Sequence, residues 1–173
     1  MSFTHILIPT DFSAQAKAAL DIAIQEAELH QASLTLIHVF QHHPHTEVTY
    51  IRGNPEDQRG LSTEFGSLQS LGRQEPVVLR RDHVEETLTR LRELIPQSFT
   101  GNWDAEVASG DPADAIVHVA KEHHADLIVM GTHGRTGLAH AFLGSVAEKV
   151  VRHASCPVLV ARSQAAEAAS SCC

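Results

Sequence analysis

A chain of 173 residues, 43% hydrophobic and 20% charged, has the composition of an ordinary globular domain long enough to bury a core. A formal charge of −8 leaves no basic stripe to neutralise a nucleic-acid backbone, and no apolar run approaches the length of a membrane span, so neither partner is expected. Three cysteines, two of them adjacent at the end, make no disulfide framework, and the first apolar segment lacks the basic flank of a secretory signal, so a cytoplasmic protein is expected.

Ile6-Leu7-Ile8 is short and uniformly apolar, which predicts a central parallel strand, and Pro9-Thr10-Asp11-Phe12-Ser13 breaks it with Ser13 as a helix N-cap. Ala16, Ala19, Leu20, Ala23 and Ala27 recur at helical steps to about His30, and Leu34–Phe40 reads as the second strand. Residues 41–81 interrupt the alternation. Four of the ten glycines fall between Gly53 and Gly72, and Pro44, Pro55 and Pro76 lie nearby, so a long functional or disordered connection is expected. His42, His43 and His45 lack the spacing of a tetrahedral metal site, and a solvated loop is preferred for them.

Asp82 and Glu85 resemble a capping box, followed by the stripe Val84, Leu88, Leu91 and Ile95. Trp103, Ala105 and Val107 alternate with Asp104 and Glu106, which predicts a third strand with one wet face at a sheet edge. Gly110 turns the chain, Asp111 caps and Pro112 starts a helix carried by Ile116, Val117 and Ala120 to His124. Leu127–Met130 is a fourth, buried strand; a last helix and the strand Val158–Ala161 follow. Five strands alternating with four helices predict a doubly wound α/β domain over residues 1–162 with helices on both faces, and an alanine- and serine-rich tail, 163–173, that is expected to be disordered.

The stretch Met130–Ser145, M-G-T-H-G-R-T-G-L-A-H-A-F-L-G-S, joins a strand to a helix start through a glycine-punctuated loop. Gly131, Gly134 and Gly137 let a ligand approach the main chain, and the following helix offers unpaired N–H groups and the positive end of its dipole, so phosphate is the expected guest. His133 and Arg135 are within reach of phosphate oxygens. Ser145 has a second reading, since with Glu148 it forms the S-x-x-E of a capping box. Asp11 likewise reads either as a ribose-hydroxyl acceptor or as a carboxylate complementing a helix dipole. Cys156 reads as a small buried thiol, and the other histidines form no constellation.

Gly131, Gly134, Gly144 and Ser145 fit G-x2-G-x9-G-S, and with P-T-D-F-S at 9–13 and the apolar run Pro157–Ala161 the chain resembles the ATP-binding universal stress proteins. That resemblance implies a five-stranded parallel sheet of order 3-2-1-4-5. It also implies ATP with a phosphate-bridged Mg²⁺, adenine near Pro9, Thr10 and Val39, ribose at Asp11, and phosphates over Gly131–Gly134 and Gly144-Ser145, with Met130, His133, Arg135 and Val146 also among the cofactor-binding residues. The order places the winding reversal between strands 1 and 4, so that Asp11 and the glycine loop face one crevice. No paired nucleophile and base, Walker lysine or two-metal acidic cluster accompanies the loop, so little or no hydrolysis is expected. A nucleotide hydrolase or adenylyl-transfer enzyme is the alternative, and an interaction module with a vestigial pocket is a third class. The apolar last strand, at an edge in this order, is expected to join a homodimer through residues 157–161.

Overall fold

The computed structural model describes residues 2–41, 50–53, 81–132 and 143–162. His133, Gly134, Arg135, Gly137, the histidines at 42, 43 and 45, and the tail from 163 lie outside the described residues.

The elements run β1 (His5–Pro9), α1 (Ala14–His30), β2 (Ser33–Gln41), β3 (Tyr50–Gly53), α2 (Arg81–Leu94), β4 (Trp103–Gly110), α3 (Pro112–Glu122), β5 (Leu127–Gly131), α4 (Ser145–His153) and β6 (Val158–Ala161). They build one sheet of order β3-β4-β2-β1-β5-β6. The five parallel strands within it, β4-β2-β1-β5-β6, are the expected 3-2-1-4-5 arrangement.

Period-2 alternation along the central strands sorts the core into two layers. Ile6, Ile8, Leu34, Leu36, Val107 and Val129 point to the face covered by α1 and α2, against Ala19, Leu20, Ala23, Val84, Leu88 and Leu91. Leu7, Ile37, Ala108, Ile128 and Met130 point to the other face, against Ile116 and Val119 of α3 and Ala147 and Val150 of α4. β1 and β5 are covered on both faces, which is why their sequences are uniformly apolar. Ser13 caps α1 by accepting from the Ala16 N–H, and Asp111 caps α3 by accepting from Ala113 and Asp114. Gly110 takes φ 130, a left-handed conformation that leaves the β4–α3 turn to glycine.

Several local expectations are corrected. The strand at Trp103–Gly110 is not an edge among the described residues, because β3, inside the 41–81 stretch, pairs with it antiparallel from Tyr50↔Ala108 to Gly53↔Ala105. Its wet face is dry at one position: Glu106 is 2% exposed and lies 2.8 Å from His123 Nε2. A polar partner at the end of α3, distant in sequence, meets inside the fold the side chain that alternation alone reads as solvent-facing. α2 begins at Arg81, so Asp82 lies inside the helix and not before it. The capping box at Ser145 does not form. Gly144 occupies the N-cap with no side-chain bond, Ser145 is the first helical residue, and Glu148 instead pairs with Arg152 at 2.8 Å.

Candidate functional site

A cleft of about 750 Å³ opens at the carboxyl ends of β2, β1 and β5, a volume in the range of small-molecule sites. It stands where the winding reverses. From β1 the chain proceeds to β2 on one side, while β5 pairs with β1 on the other through Ile6↔Leu127 and Leu7↔Ile128. That register brings the residues after Pro9 alongside Met130 and Gly131.

Of the residues singled out in the sequence, Pro9, Thr10, Asp11, Val39, Met130, Gly131, Gly144, Ser145 and Val146 all line this one cleft. The segment after β1 is laced to itself. Thr10 N–H donates to the Ile37 carbonyl at 2.8 Å, Phe12 N–H to Thr10 Oγ1 at 3.1 Å, and Ser13 N–H to Asp11 Oδ1 at 3.0 Å. Asp11 therefore does serve the start of α1, while remaining at the cleft wall. Phe12 takes φ 64, a left-handed conformation that costs an aromatic residue about 1–3 kcal/mol and persists only where its surroundings over-determine it.

On the opposite wall, Gly144 N–H donates to the Thr132 carbonyl at 2.7 Å, which closes the loop between β5 and α4 at its base. Gly144 makes no side-chain cap, so among the described residues no N-cap side chain occupies the first-turn N–H groups of α4 at the cleft. Gly144 has φ −68, open to any residue, so its glycine identity does not come from backbone strain. Gly131 is glycine for packing: a Cβ there would lie 3.0 Å from the Gln15 main-chain carbon of α1.

The structure also brings in residues that the sequence reading passed over. Phe12, His38, Phe40, Thr87, Arg90 and Thr132 line the cleft. His38 is 8% exposed, with Nδ1 2.8 Å from the Thr10 carbonyl, and its ring lies 4.9 Å from Phe12 and 5.2 Å from Phe40. Arg90 of α2 sits with Cζ 4.1 Å over the Phe12 ring. A signal existed for His38, which shares the strand face of Leu36 and Phe40; none existed for Arg90, an ordinary charge beside an apolar stripe. Below Pro112, Asp111 Oδ2 accepts from Lys149 Nζ at 3.1 Å and ties α3 to α4. Burial raises the Asp111 pKa, but the Asp114 N–H and Lys149 outweigh it and hold the carboxyl below its ordinary value.

The sequence model of the universal stress protein family matches residues 2–162. A universal stress protein of Methanocaldococcus jannaschii is 34% identical over 160 residues, covering 92% of this chain and 82% of its own. Universal stress protein UspA from Lactobacillus plantarum superposes with a TM-score of 0.66 at 25% identity, over 94% of this chain and 99% of that one. A universal stress protein solved in complex with cAMP shares the fold, with a TM-score of 0.60 at 21% identity over 94% of this chain and 98% of the other. The chain belongs to the universal stress protein family.

Proposed function

We propose that this protein is an adenine-nucleotide receptor which holds ATP with Mg²⁺ in the cleft at the β1/β5 reversal and turns it over slowly or not at all. The observation that carries the reading is the convergence of Asp11, Val39, Met130, Gly131, Gly144, Ser145 and Val146 on one cleft of nucleotide size. In this reading the α4 N-terminus takes the phosphates, with His133, Gly134 and Arg135 of the glycine loop, and Asp11 takes the ribose. Adenine lies at the β2 side beside Pro9, Thr10 and Val39. The family neighbour solved with cAMP supports an adenine nucleotide as the ligand class.

Mg²⁺ supplies charge neutralisation of the phosphates when bound. Among the described residues no three His, Cys, Asp or Glu side chains converge on a metal position, so in this reading phosphate oxygens and water hold the cation. The reading of slow turnover is supported by how Asp11 and His38, the acid–base candidates of the described lining, are engaged. Asp11 Oδ1 holds the Ser13 N–H and His38 Nδ1 holds the Thr10 carbonyl, which leaves no matched base and nucleophile there. The cytoplasm is the compartment this ligand implies.

The proposed assembly is a two-fold dimer through β6. Among the described residues that strand has one neighbour, β5, and its Val158, Leu159 and Val160 are only half buried, which suits a second copy of the strand alongside. Calorimetry with ATP and Mg²⁺ tests the ligand. Saturable binding is expected, with phosphate release far below an enzyme-like rate of roughly 10 per second. Rapid turnover that survives repurification would make the protein a hydrolase instead.

A further inference from the structure

The cleft has two chemically unlike ends. α4, with the uncapped helix start, packs on α3 and β6, whereas α2 packs on the other face of the sheet against β2 and β4. The two helices thus stand on opposite sides of β1. The α4 end suits anions. The α2 end is aromatic: Phe12, His38 and Phe40 follow one another with ring centroids 4.9 Å and 5.2 Å apart, and Arg90 Cζ lies 4.1 Å over Phe12.

Arg90 is the sole lysine or arginine among the described residues that line the cleft. It forms no ion pair among the described residues, and it is exposed at the rim. A permanent cation at the end remote from the phosphate site has a chemistry of its own. A guanidinium is planar and weakly hydrated, and it stacks on π faces, which an ammonium does not do. The residue beneath it is held in a strained left-handed conformation by the bonds of the Pro9–Ser13 segment, and such over-determined strain gathers at ligand clamps.

We propose that Arg90, seated over Phe12, is a specificity-determining residue of the cleft: its guanidinium plane stacks on the heteroaromatic base of the ligand and selects a purine over the smaller pyrimidine. The inference rests on the nucleotide reading above and deepens it by naming the group that reads the base. Stacking is non-directional within the plane, so Arg90 sets ring size and planarity, and the backbone at Val39 is left to read the base edge.

The test is calorimetry of the full chain with ATP, ADP, AMP and CTP, for the wild type, Arg90→Ala and Arg90→Lys. Arg90→Ala is expected to weaken ATP, ADP and AMP by the same factor, roughly tenfold, as loss of one base stack does. It is also expected to narrow the preference for ATP over CTP, with an unchanged unfolding midpoint. Arg90→Lys keeps the charge but loses the plane, and is expected to resemble Arg90→Ala. A loss that grows from AMP to ATP would assign Arg90 to the phosphates and overturn the proposal. So would unchanged affinity in Arg90→Ala, or full rescue by lysine. A wild type that binds none of the adenine nucleotides would defeat the nucleotide reading itself, and that result is seen before any variant is made.

Discussion

At the carboxyl ends of the strands Asp11, Thr132, Arg90 and the start of α4 face a cleft, while on the amino-terminal side the polar groups face one another. There Glu106 Oε1 lies 2.8 Å from His123 Nε2, and the His123 ring meets the His5 ring edge-on at 5.5 Å. His5 Nε2 lies 2.8 Å from Thr35 Oγ1, and the Asp126 carboxylate accepts from Thr4 N–H, Thr4 Oγ1 and His5 N–H. Both regions mix carboxylates, hydroxyls and imidazoles. The difference is closure. A polar cluster whose members satisfy one another fixes how α3 and the β5 start sit on the sheet, and offers nothing to a ligand. Polar groups and helix amides that converge on open volume are arranged to recognise something else.

If that contrast is right, the two regions respond to substitution in opposite ways. The largest effect belongs to the closed cluster. His123→Ala removes a close partner of the buried Glu106 carboxylate and is expected to cost about 3 kcal/mol of unfolding free energy, read by chemical denaturation. ATP affinity should stay as it was; a parallel loss of affinity would break the separation of the two regions.

Gly131→Ala acts on stability and on the cleft together, since Gly131 lines the cleft and a Cβ there would press on the Gln15 backbone at 3.0–3.1 Å. A loss of about 1–3 kcal/mol is expected from overpacking, together with weaker nucleotide binding because α1 and β5 shape the same cleft. Thermal unfolding at saturating and at zero ATP separates the two contributions. Gly144→Val is the converse case. Its φ of −68 admits valine, so stability should fall by less than about 1 kcal/mol, the scale of an N-cap change. Nucleotide affinity should drop at least roughly tenfold, or 1.4 kcal/mol, as the side chain enters the proposed anion site. Unchanged affinity would remove the α4 start from the site.

The smallest expected effect is the response to acid, which sharpens the comparison by pH. Burial chiefly, and then His123, lowers the His5 pKa, against opposing pulls from Asp126 and Glu106. A histidine depressed in the fold binds fewer protons than in the unfolded chain. Its contribution is therefore present above the ordinary value of 6.5 and is lost as pH falls through the folded value. Burial raises the pKa of Asp126, but its bonds from Thr4 and His5 prevail and lower it. Its contribution is present above 3.8 and is lost as pH falls further. A stability profile should therefore decline in two stages, and His5→Gln should flatten only the first. A single stage in both proteins would contradict the arrangement.

Much of this is legible in the sequence. The stripe Val84, Leu88, Leu91 and Ile95 is buried, Ser13 and Asp111 cap as their positions imply, and the parallel strand order is the one that the resemblance implied. What failed shares a cause. Ser145-x-x-Glu148 has the letters of a capping box, but the loop enters α4 through Gly144, so the hydroxyl sits one residue too late to cap. Glu106 alternates as a surface residue should, and only the return of α3 to the sheet makes it interior. β3 is four residues within a stretch without period, and its identity as a strand comes from β4, not from itself.

By itself the sequence determined helix and strand periods, two caps, the turn at Gly110 and the glycine spacing on which the proposed phosphate site rests. These depend on residues within a few positions of one another, where spacing along the chain is distance in space. Tertiary structure alone decided that His38 and Arg90 meet at Phe12, that Glu106 finds His123, and that Gly131 must be small to let Gln15 pass. Those are encounters between elements, set by the register and by which face each helix covers, and no window of neighbouring residues contains them.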